Sequence, residues 1–173
     1  MPVLRFNVIA ALLLCATSLP ASEWVELGEG LRPSDKVVAG GQPTAGVLQQ
    51  AADAGVKVVV NFRGESEDPG YDEAAAAAEL GLTYLRVPIA GPQGLTPENV
   101  LLFDAVLRQV GDQPALMHCA TGNRVGALHA LHAAKFRDLD AEAAIEFGKA
   151  HGLTSLEGAV REQLDSGRTV VTH

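Results

Sequence analysis

Cys119 and Arg124 are the two residues of this sequence whose types and spacing best fit a chemical reaction. The apolar run at 114–117 predicts a short buried strand before them, and the run that follows Gly126 predicts a helix. The first N–H groups of a helix have no partner within it and the helix dipole adds partial positive charge, so the intervening loop is expected to bind an anion. The same field favours a thiolate nucleophile.

The predicted anion-binding loop contains more than this pair. Arg124 closes the loop with a planar guanidinium that can bind two oxygens of a phosphate-like group at once. His118 comes directly before the nucleophile on the predicted strand, where we expect it to orient the loop through hydrogen bonds, and an imidazolium there would also favour the thiolate. Besides Cys119 and Arg124, the residues assigned to this site are His118, Ala120, Thr121, Gly122, Asn123 and Val125.

The elements around this loop predict an α/β fold. Strands alternate with helices through the middle of the chain and only helices follow the loop, which indicates a central, mostly parallel sheet with helices on both faces. The unbroken β-branched run at 56–62 has the composition of a central strand. Predicted strands cover 24–27, 36–39, 56–62, 83–87 and 114–117, and predicted helices cover 45–54, 72–80, 140–150 and 154–164, with one more beginning at Thr96 and one after the loop.

The loop sequence resembles the signature of the cysteine-dependent protein tyrosine and dual-specificity phosphatases: His118-Cys119, then Gly122, then Arg124 on a helix. That superfamily usually has five residues between the Cys and the Arg, and this sequence has four. The shorter loop is similar to that of the bacterial phosphatase-like domain of beta-lactamase-hydrolase-like proteins. The segments 40–43, 58–65 and 84–89 also occur in the order of that branch, so the resemblance covers roughly residues 37–164. It implies a dual-specificity-phosphatase-like fold, with Cys119 as nucleophile and Arg124 as oxyanion ligand.

The sequence also departs from that family, and this leaves three functions open. Val125 stands where a Ser or Thr usually helps the thiolate leave, and 89–95 contains no acid where the family has its general acid. Glu65, Glu67 and Asp68 on a neighbouring loop are the available substitutes. The first function is a phosphatase that forms a phosphocysteine. The second is a rhodanese-like sulfurtransferase with a Cys119 persulfide, which needs no acid. The third is a non-catalytic oxyanion-binding module.

The first residues predict the compartment. Arg5 is followed by an apolar run at 6–16 and then by small and turn-forming residues, which is the pattern of a secretory signal peptide and is too short to span a membrane. We therefore expect a signal peptide at 1–21 and a single phosphatase-like domain at 22–173, periplasmic or secreted. Cleavage would remove Cys15 and leave Cys119 as the one cysteine, without a partner in its own chain.

Charge and composition limit the ligands. The net charge of −8 becomes −9 when the first 21 residues, with Arg5 as their one charge, are removed. An acidic chain without a basic patch is a poor ligand for nucleic acid or for an anionic membrane. The expected partner is a phosphate monoester or a thiosulfate-like small anion, or else a phosphoprotein. No cofactor is expected. His129 and His132 have a spacing that can bind metal, but no third ligand is near in sequence, so no metal site is predicted.

Overall fold

The fold is described from a computed structural model that covers residues 32–33 and 36–169. This part of the chain contains five strands and six helices, with a short 3-10 turn at Pro92–Gly94; strands and helices alternate from β2 to α4, and α5 and α6 follow. The strands are β1 Arg32–Pro33, β2 Val37–Gly40, β3 Val58–Asn61, β4 Thr83–Arg86 and β5 Ala115–His118. The helices are α1 Ala45–Asp53, α2 Glu73–Glu79, α3 Pro97–Val110, α4 Asn123–Phe136, α5 Ala141–Ala150 and α6 Glu157–Thr169.

The strands form one sheet in the order β1-β2-β5-β3-β4. Four of them are parallel, and β1 pairs antiparallel with β2 at the edge. In the register, Leu116 of β5 lies beside Val38 of β2 on one side and Val59 of β3 on the other. The strand that leads to Cys119 is therefore held on both sides, and the predicted α/β fold with a mostly parallel sheet is confirmed.

Alternating side chains divide the core into two layers, one on each face of the sheet. Val58 and Val60 face the larger layer, which includes residues of α3, α4, α5 and α6. Val59 and Leu116 face the smaller layer, built from α1 and α2. All three valines of β3 are buried, as expected for a strand that helices cover on both faces. Cys119 belongs to the larger layer, which fixes the face of the sheet on which its loop emerges.

Some boundaries differ from the sequence prediction. The last helix begins at Glu157 and not at Thr154; the segment before it is fixed by Asn123, whose side-chain oxygen accepts the backbone N–H groups of Thr154 and Leu156. The predicted signal peptide at 1–21 and the predicted edge strand at 24–27 lie outside the described residues. Within the described residues, every helix is too short or too polar to cross a bilayer.

Candidate active site

The loop between β5 and α4 places Cys119 at the carboxyl end of a central strand and Arg124 in the first turn of a helix. Gly122 is the residue that precedes this helix, and it has a left-handed backbone with φ of 86°. A side chain would be strained in that conformation. The first N–H groups of α4 consequently point out of the helix towards the loop, where its dipole adds positive charge.

The sulfur of Cys119 lies inside this loop. Its Sγ accepts a hydrogen bond from the backbone N–H of Gly122 at 3.2 Å. Cys119 also contributes to the raised pKa of the Arg124 guanidinium, after the opposing effect of burial and the hydrogen bond with Glu67. The side chain is only 1% exposed, so a reaction requires the covering groups to move. The Gly122 N–H and the guanidinium distinguish the surroundings of this sulfur from those of a cysteine packed only among apolar groups.

Arg124 is held by three residues from two loops, the one after β3 and the one after β4. Its Nη1 donates to the carbonyl oxygens of Phe62 at 3.2 Å and Ile89 at 2.8 Å. Its Nη1 and Nη2 also donate to the two carboxylate oxygens of Glu67, at 2.6 Å and 2.7 Å. Burial disfavours the charged guanidinium, but the hydrogen bonds and charges of Glu67 and Cys119 together raise the pKa of Arg124. The guanidinium is thus fixed at the open end of the loop.

Glycines allow the loop to approach the backbone beneath it. A Cβ on Gly122 would lie 3.1 Å from the carbonyl carbon of Gly40, and one on Gly41 would lie 3.2 Å from the oxygen of Ala120. On the other side, a Cβ on Gly152 would lie 3.0 Å from the oxygen of Gly122. The backbone N–H of Cys119 donates to Gly40 at 3.3 Å. The loop is therefore packed between the segment that follows β2, at Gly40 and Gly41, and the turn that follows α5, at Gly152.

The remaining loop residues have different surroundings. Ala120 and Thr121 are at least partly exposed at the mouth of the loop, whereas the side chain of Val125 is fully buried in the core. Asn123 is also buried, and its amide binds the segment before α6, including the hydroxyl of Ser155 at 2.6 Å. The side chains of Val125 and Asn123 are therefore not available to an anion, and these two residues could contribute only their backbone N–H groups.

A family model described as "DSP-PTPase phosphatase fused to NAD+ Kinase" matches residues 18–162. The chain belongs to this family. The match covers both the Cys119 loop and the strands and helices that hold it, so the resemblance in the loop sequence extends to the whole fold.

Individual relatives agree with that family. The chain is 27% identical over 128 residues to a beta-lactamase hydrolase-like protein of Agrobacterium fabrum, a match that covers 72% of this chain and 29% of the relative. It therefore spans less than a third of that relative. A putative phosphatase from Neisseria meningitidis has the same fold, with a TM-score of 0.62, 23% identity and coverage of 83% of this chain and 96% of that one. TpbA of P. aeruginosa in complex with pTyr has a TM-score of 0.56 at 18% identity, covering 89% and 93%.

Glu67 was one of three acids suggested as a general acid for this DSP-PTPase family member, and its position gives it another role. Its carboxylate binds Arg124 and also accepts the N–H of Gly64 at 2.8 Å. The bond to Arg124 is the main reason that the pKa of Glu67 lies below its usual value. A carboxyl group that stays ionised cannot supply a proton at neutral pH, so Glu67 orients the guanidinium instead. Glu65 and Asp68 have exposed side chains on the same loop.

His118 lies on the opposite face of β5 from Cys119, and its side chain does not line the loop. It is fully buried, with Nε2 2.9 Å from the carboxylate of Glu73 and Nδ1 3.4 Å from the carbonyl oxygen of Cys119. Glu73, in the first turn of α2, is 2% exposed. Sequence reasoning missed this carboxylate, because an acid at a helix start is normally read as a solvated partner of the dipole.

The histidines of α4 form an aromatic cluster rather than a metal site. His129 stacks on His151 with ring centroids 4.0 Å apart, and Phe103 meets His129 edge-on at 4.9 Å. His132 binds Asp104 at 3.0 Å. Among the described residues, no group of three or more His, Cys, Asp or Glu side chains is arranged to bind a metal ion.

Proposed function

We propose that this protein is a cysteine-dependent phosphatase that hydrolyses a phosphate monoester through a phosphocysteine on Cys119. The observation that carries the proposal is the hydrogen bond from the Gly122 N–H to Cys119 Sγ, in a loop that Arg124 closes. A donor already bound to the sulfur stabilises negative charge on it. The N–H groups and the guanidinium would then stabilise the charge that develops on the phosphoryl oxygens in the transition state.

The reaction has two steps. In the first, the thiolate attacks phosphorus, the bond from phosphorus to the ester oxygen breaks, and the leaving oxygen keeps the electron pair. In the second, water attacks the phosphocysteine, the phosphorus–sulfur bond breaks, inorganic phosphate leaves and the thiolate returns. Arg124 would bind the phosphoryl oxygens in both steps.

Among the described residues, the acids on the loops beside Cys119 do not supply a proton for the leaving group. Glu67 is held ionised by Arg124, and the loop 89–95 contains no acid. A leaving group that is stable as an anion, such as a phenolate, does not need a strong acid. We therefore expect aryl phosphates, including phosphotyrosine, to be hydrolysed faster than alkyl phosphates such as phosphoserine.

The test is hydrolysis of an aryl phosphate by the purified protein under reducing conditions. Cys119→Ser should abolish turnover while circular dichroism and the melting temperature stay unchanged, and Arg124→Ala should raise KM and lower kcat together. Arg161→Ala is the matched control, because Arg161 also binds carboxylates, Glu142 and Glu157, but lies on α6 away from the loop. Substantial hydrolysis by the serine variant would refute the nucleophile assignment.

A second candidate is a sulfurtransferase, which the four-residue loop and the ionised state of Glu67 favour. The outer sulfur of thiosulfate would pass to Cys119, sulfite would leave, and the persulfide sulfur would pass to an acceptor thiol or cyanide. Incubation with thiosulfate followed by mass spectrometry would reveal one added sulfur atom on Cys119. If neither phosphate release nor a persulfide is found, a non-catalytic oxyanion-binding module is the remaining function.

We also propose that the chain is exported to the periplasm or secreted, with residues 1–21 removed. The support is the charge and hydropathy pattern of this segment. Cell fractionation with N-terminal sequencing of the mature protein tests it. A cytoplasmic protein that retains Met1 would contradict it.

A further inference from the structure

A cavity of about 380 Å³ opens between α3, the second half of α4 and α6. Leu95 before α3 and Leu139 after α4 complete its walls, together with Leu164 of α6. Its lining includes no residue of the Cys119 loop, so the cavity is separate from the candidate active site.

The cavity is apolar at its floor and polar at its rim. Leu95, Val100 and Leu131 are 1%, 4% and 7% exposed and form the floor. Lys135, with an exposed side chain, and Gln163, which is half-buried, lie at the rim. Lys135 is the one charged residue of the lining. Small-molecule sites have this layout, with apolar walls and a few polar groups that fix the orientation of the ligand.

Lys135 carries a positive charge that no carboxylate of the described residues neutralises. The lysine ion pairs in this part of the chain belong to Lys36 and Lys149, whereas the Lys135 ammonium lies 5.9 Å from the centre of the Phe136 ring. The rim therefore offers a cation to an anionic group of a ligand.

Glu98 is the acid that this cation reaches, and it has other partners. The pKa of Glu98 is lowered first by its own backbone N–H and then by the side chain of Thr96, and Lys135 has the smallest effect. Glu98 is thus bound by the start of α3 rather than by Lys135, and it does not line the cavity.

The size of the cavity limits the apolar part of a ligand. At about 30 Å³ for each non-hydrogen atom, which is the volume of a water molecule in the liquid, 380 Å³ holds about a dozen such atoms. A saturated carboxylate with a chain of about ten carbon atoms has this size. Its chain matches the apolar floor, and its carboxylate matches the charge of Lys135.

We propose that this cavity binds a medium-chain fatty acid, with the alkyl chain against Leu95, Val100 and Leu131 and the carboxylate at Lys135. The ligand is the free acid in solution. The binding is independent of the reaction at Cys119, so a protein without phosphatase activity can still pass or fail the test.

The test is equilibrium dialysis of the full-length protein against radiolabelled decanoate, at pH 8 and below the concentration at which decanoate forms micelles. We expect saturable binding, and octanoate should bind about tenfold more weakly because two buried methylenes are missing. Lys135→Met should weaken the binding of decanoate about three- to fivefold and leave that of decanol, which has no charge, unchanged. Lys57→Met is the matched control, since Lys57 is also exposed but does not line the cavity.

A second pair of variants tests the location. Ala134→Phe places a ring in the cavity and should weaken the binding of decanoate about tenfold or more, whereas Ala105→Phe, at an exposed position of α3 outside the lining, should bind as the wild type does. If Ala134→Phe does not fold, Gln163→Trp blocks the cavity from α6.

Three results would overturn the proposal. The first is the absence of saturable binding in the wild type, which is expected if a second copy, or a segment of the chain outside the described residues, fills the cavity. The second is unchanged decanoate binding in a folded variant with a blocked cavity. The third is an equal effect of Lys135→Met on decanoate and decanol.

Discussion

Glu67 binds Arg124 through both carboxylate oxygens, at 2.6 Å from Nη1 and 2.7 Å from Nη2. Backbone oxygens of Phe62 and Ile89 also accept from Nη1. A guanidinium has five N–H donors, so the Nε edge is the side left for an incoming oxyanion. Glu67 thus sets the orientation of Arg124 and at the same time neutralises part of the charge that would attract a substrate.

Glu67→Gln should separate these two effects. Loss of the negative charge should lower the Kd for inorganic phosphate by about three- to tenfold, because nothing then offsets the charge of Arg124. Loss of the two-point contact should lower kcat for an aryl phosphate, because the guanidinium is less well oriented. Calorimetric titration and steady-state kinetics measure the two. Glu65→Gln, the same change at an exposed position of the same loop, is the control, and equal phosphate binding by both variants would contradict this account.

Asn123→Ala should loosen the loop while leaving its nucleophile in place. The side-chain oxygen of Asn123 accepts the N–H groups of Thr154 at 2.9 Å and Leu156 at 3.3 Å, and the substitution would leave these donors without that acceptor. We expect a loss of about 1–3 kcal/mol in the free energy of unfolding and a clear fall in kcat. Ser155→Ala removes only the bond to the amide nitrogen and should cost less. Urea denaturation and steady-state kinetics of both variants test this, and an equal loss of stability in the two variants would contradict it.

The buried histidines should make the protein sensitive to mild acid. Burial lowers the pKa of His129 well below 6.5, and both of its ring nitrogens lack hydrogen-bond partners. Burial also lowers the pKa of His151 and of His132, the latter against the opposing effect of Asp104. For a histidine of lowered pKa, the unfolded chain takes up protons first, so stability is complete above about pH 6.5 and declines as the pH falls below it.

His129→Phe tests this sign. The phenyl ring keeps the contacts with Phe103 and His151 but cannot be protonated. The free energy of unfolding of the variant should fall less steeply between pH 6.5 and pH 5 than that of the wild type. Near pH 8, where His129 is neutral in the folded and unfolded chains, the pH dependence of the two proteins should be the same. Urea denaturation across this range gives both slopes. Parallel slopes would show that His129 does not contribute to the acid sensitivity.

Gly126→Ala should disrupt the contact between α4 and α5. A Cβ at this position would collide with the backbone nitrogen of Leu153 and would lie 2.6 Å from the carbonyl carbon of Gly152 and 2.7 Å from the oxygen of Gly148. Backbone atoms cannot rotate away, so we expect destabilisation of about 3 kcal/mol or more. Gly158→Ala on α6 is the matched control, because a Cβ there meets nothing within 4 Å and alanine favours a helix. Thermal denaturation should rank the control at or above the wild type.

The sequence was sufficient for the fold and for the loop because their signals are local. Apolar runs, such as the one at 114–117, and glycines at fixed spacing around Cys119 predict a strand, a tight turn and a helix start without knowledge of distant residues. The same holds for the start of α5, where Asp140 accepts the N–H of Ala143. The dual-specificity-phosphatase-like architecture followed from the order of these elements.

The side chains that act at a distance could not be assigned in this way. Glu67 and Arg124 are 57 positions apart, and nothing in the acidic loop distinguishes Glu67 from Glu65 or Asp68 until the loop is folded over the guanidinium. The start of α6 differs from the sequence prediction for a similar reason, since a side chain on α4 fixes the segment before that helix. Tertiary contacts decided these cases.

The central position of β5 has one more consequence. The strand that leads to Cys119 is bounded by β2 and β3 and lies at the centre of the sheet that the described residues form, so it cannot fray unless its neighbouring strands separate. Heat should accordingly release this strand only when the sheet itself unfolds, so the burial of Cys119 and the secondary structure should be lost at one temperature.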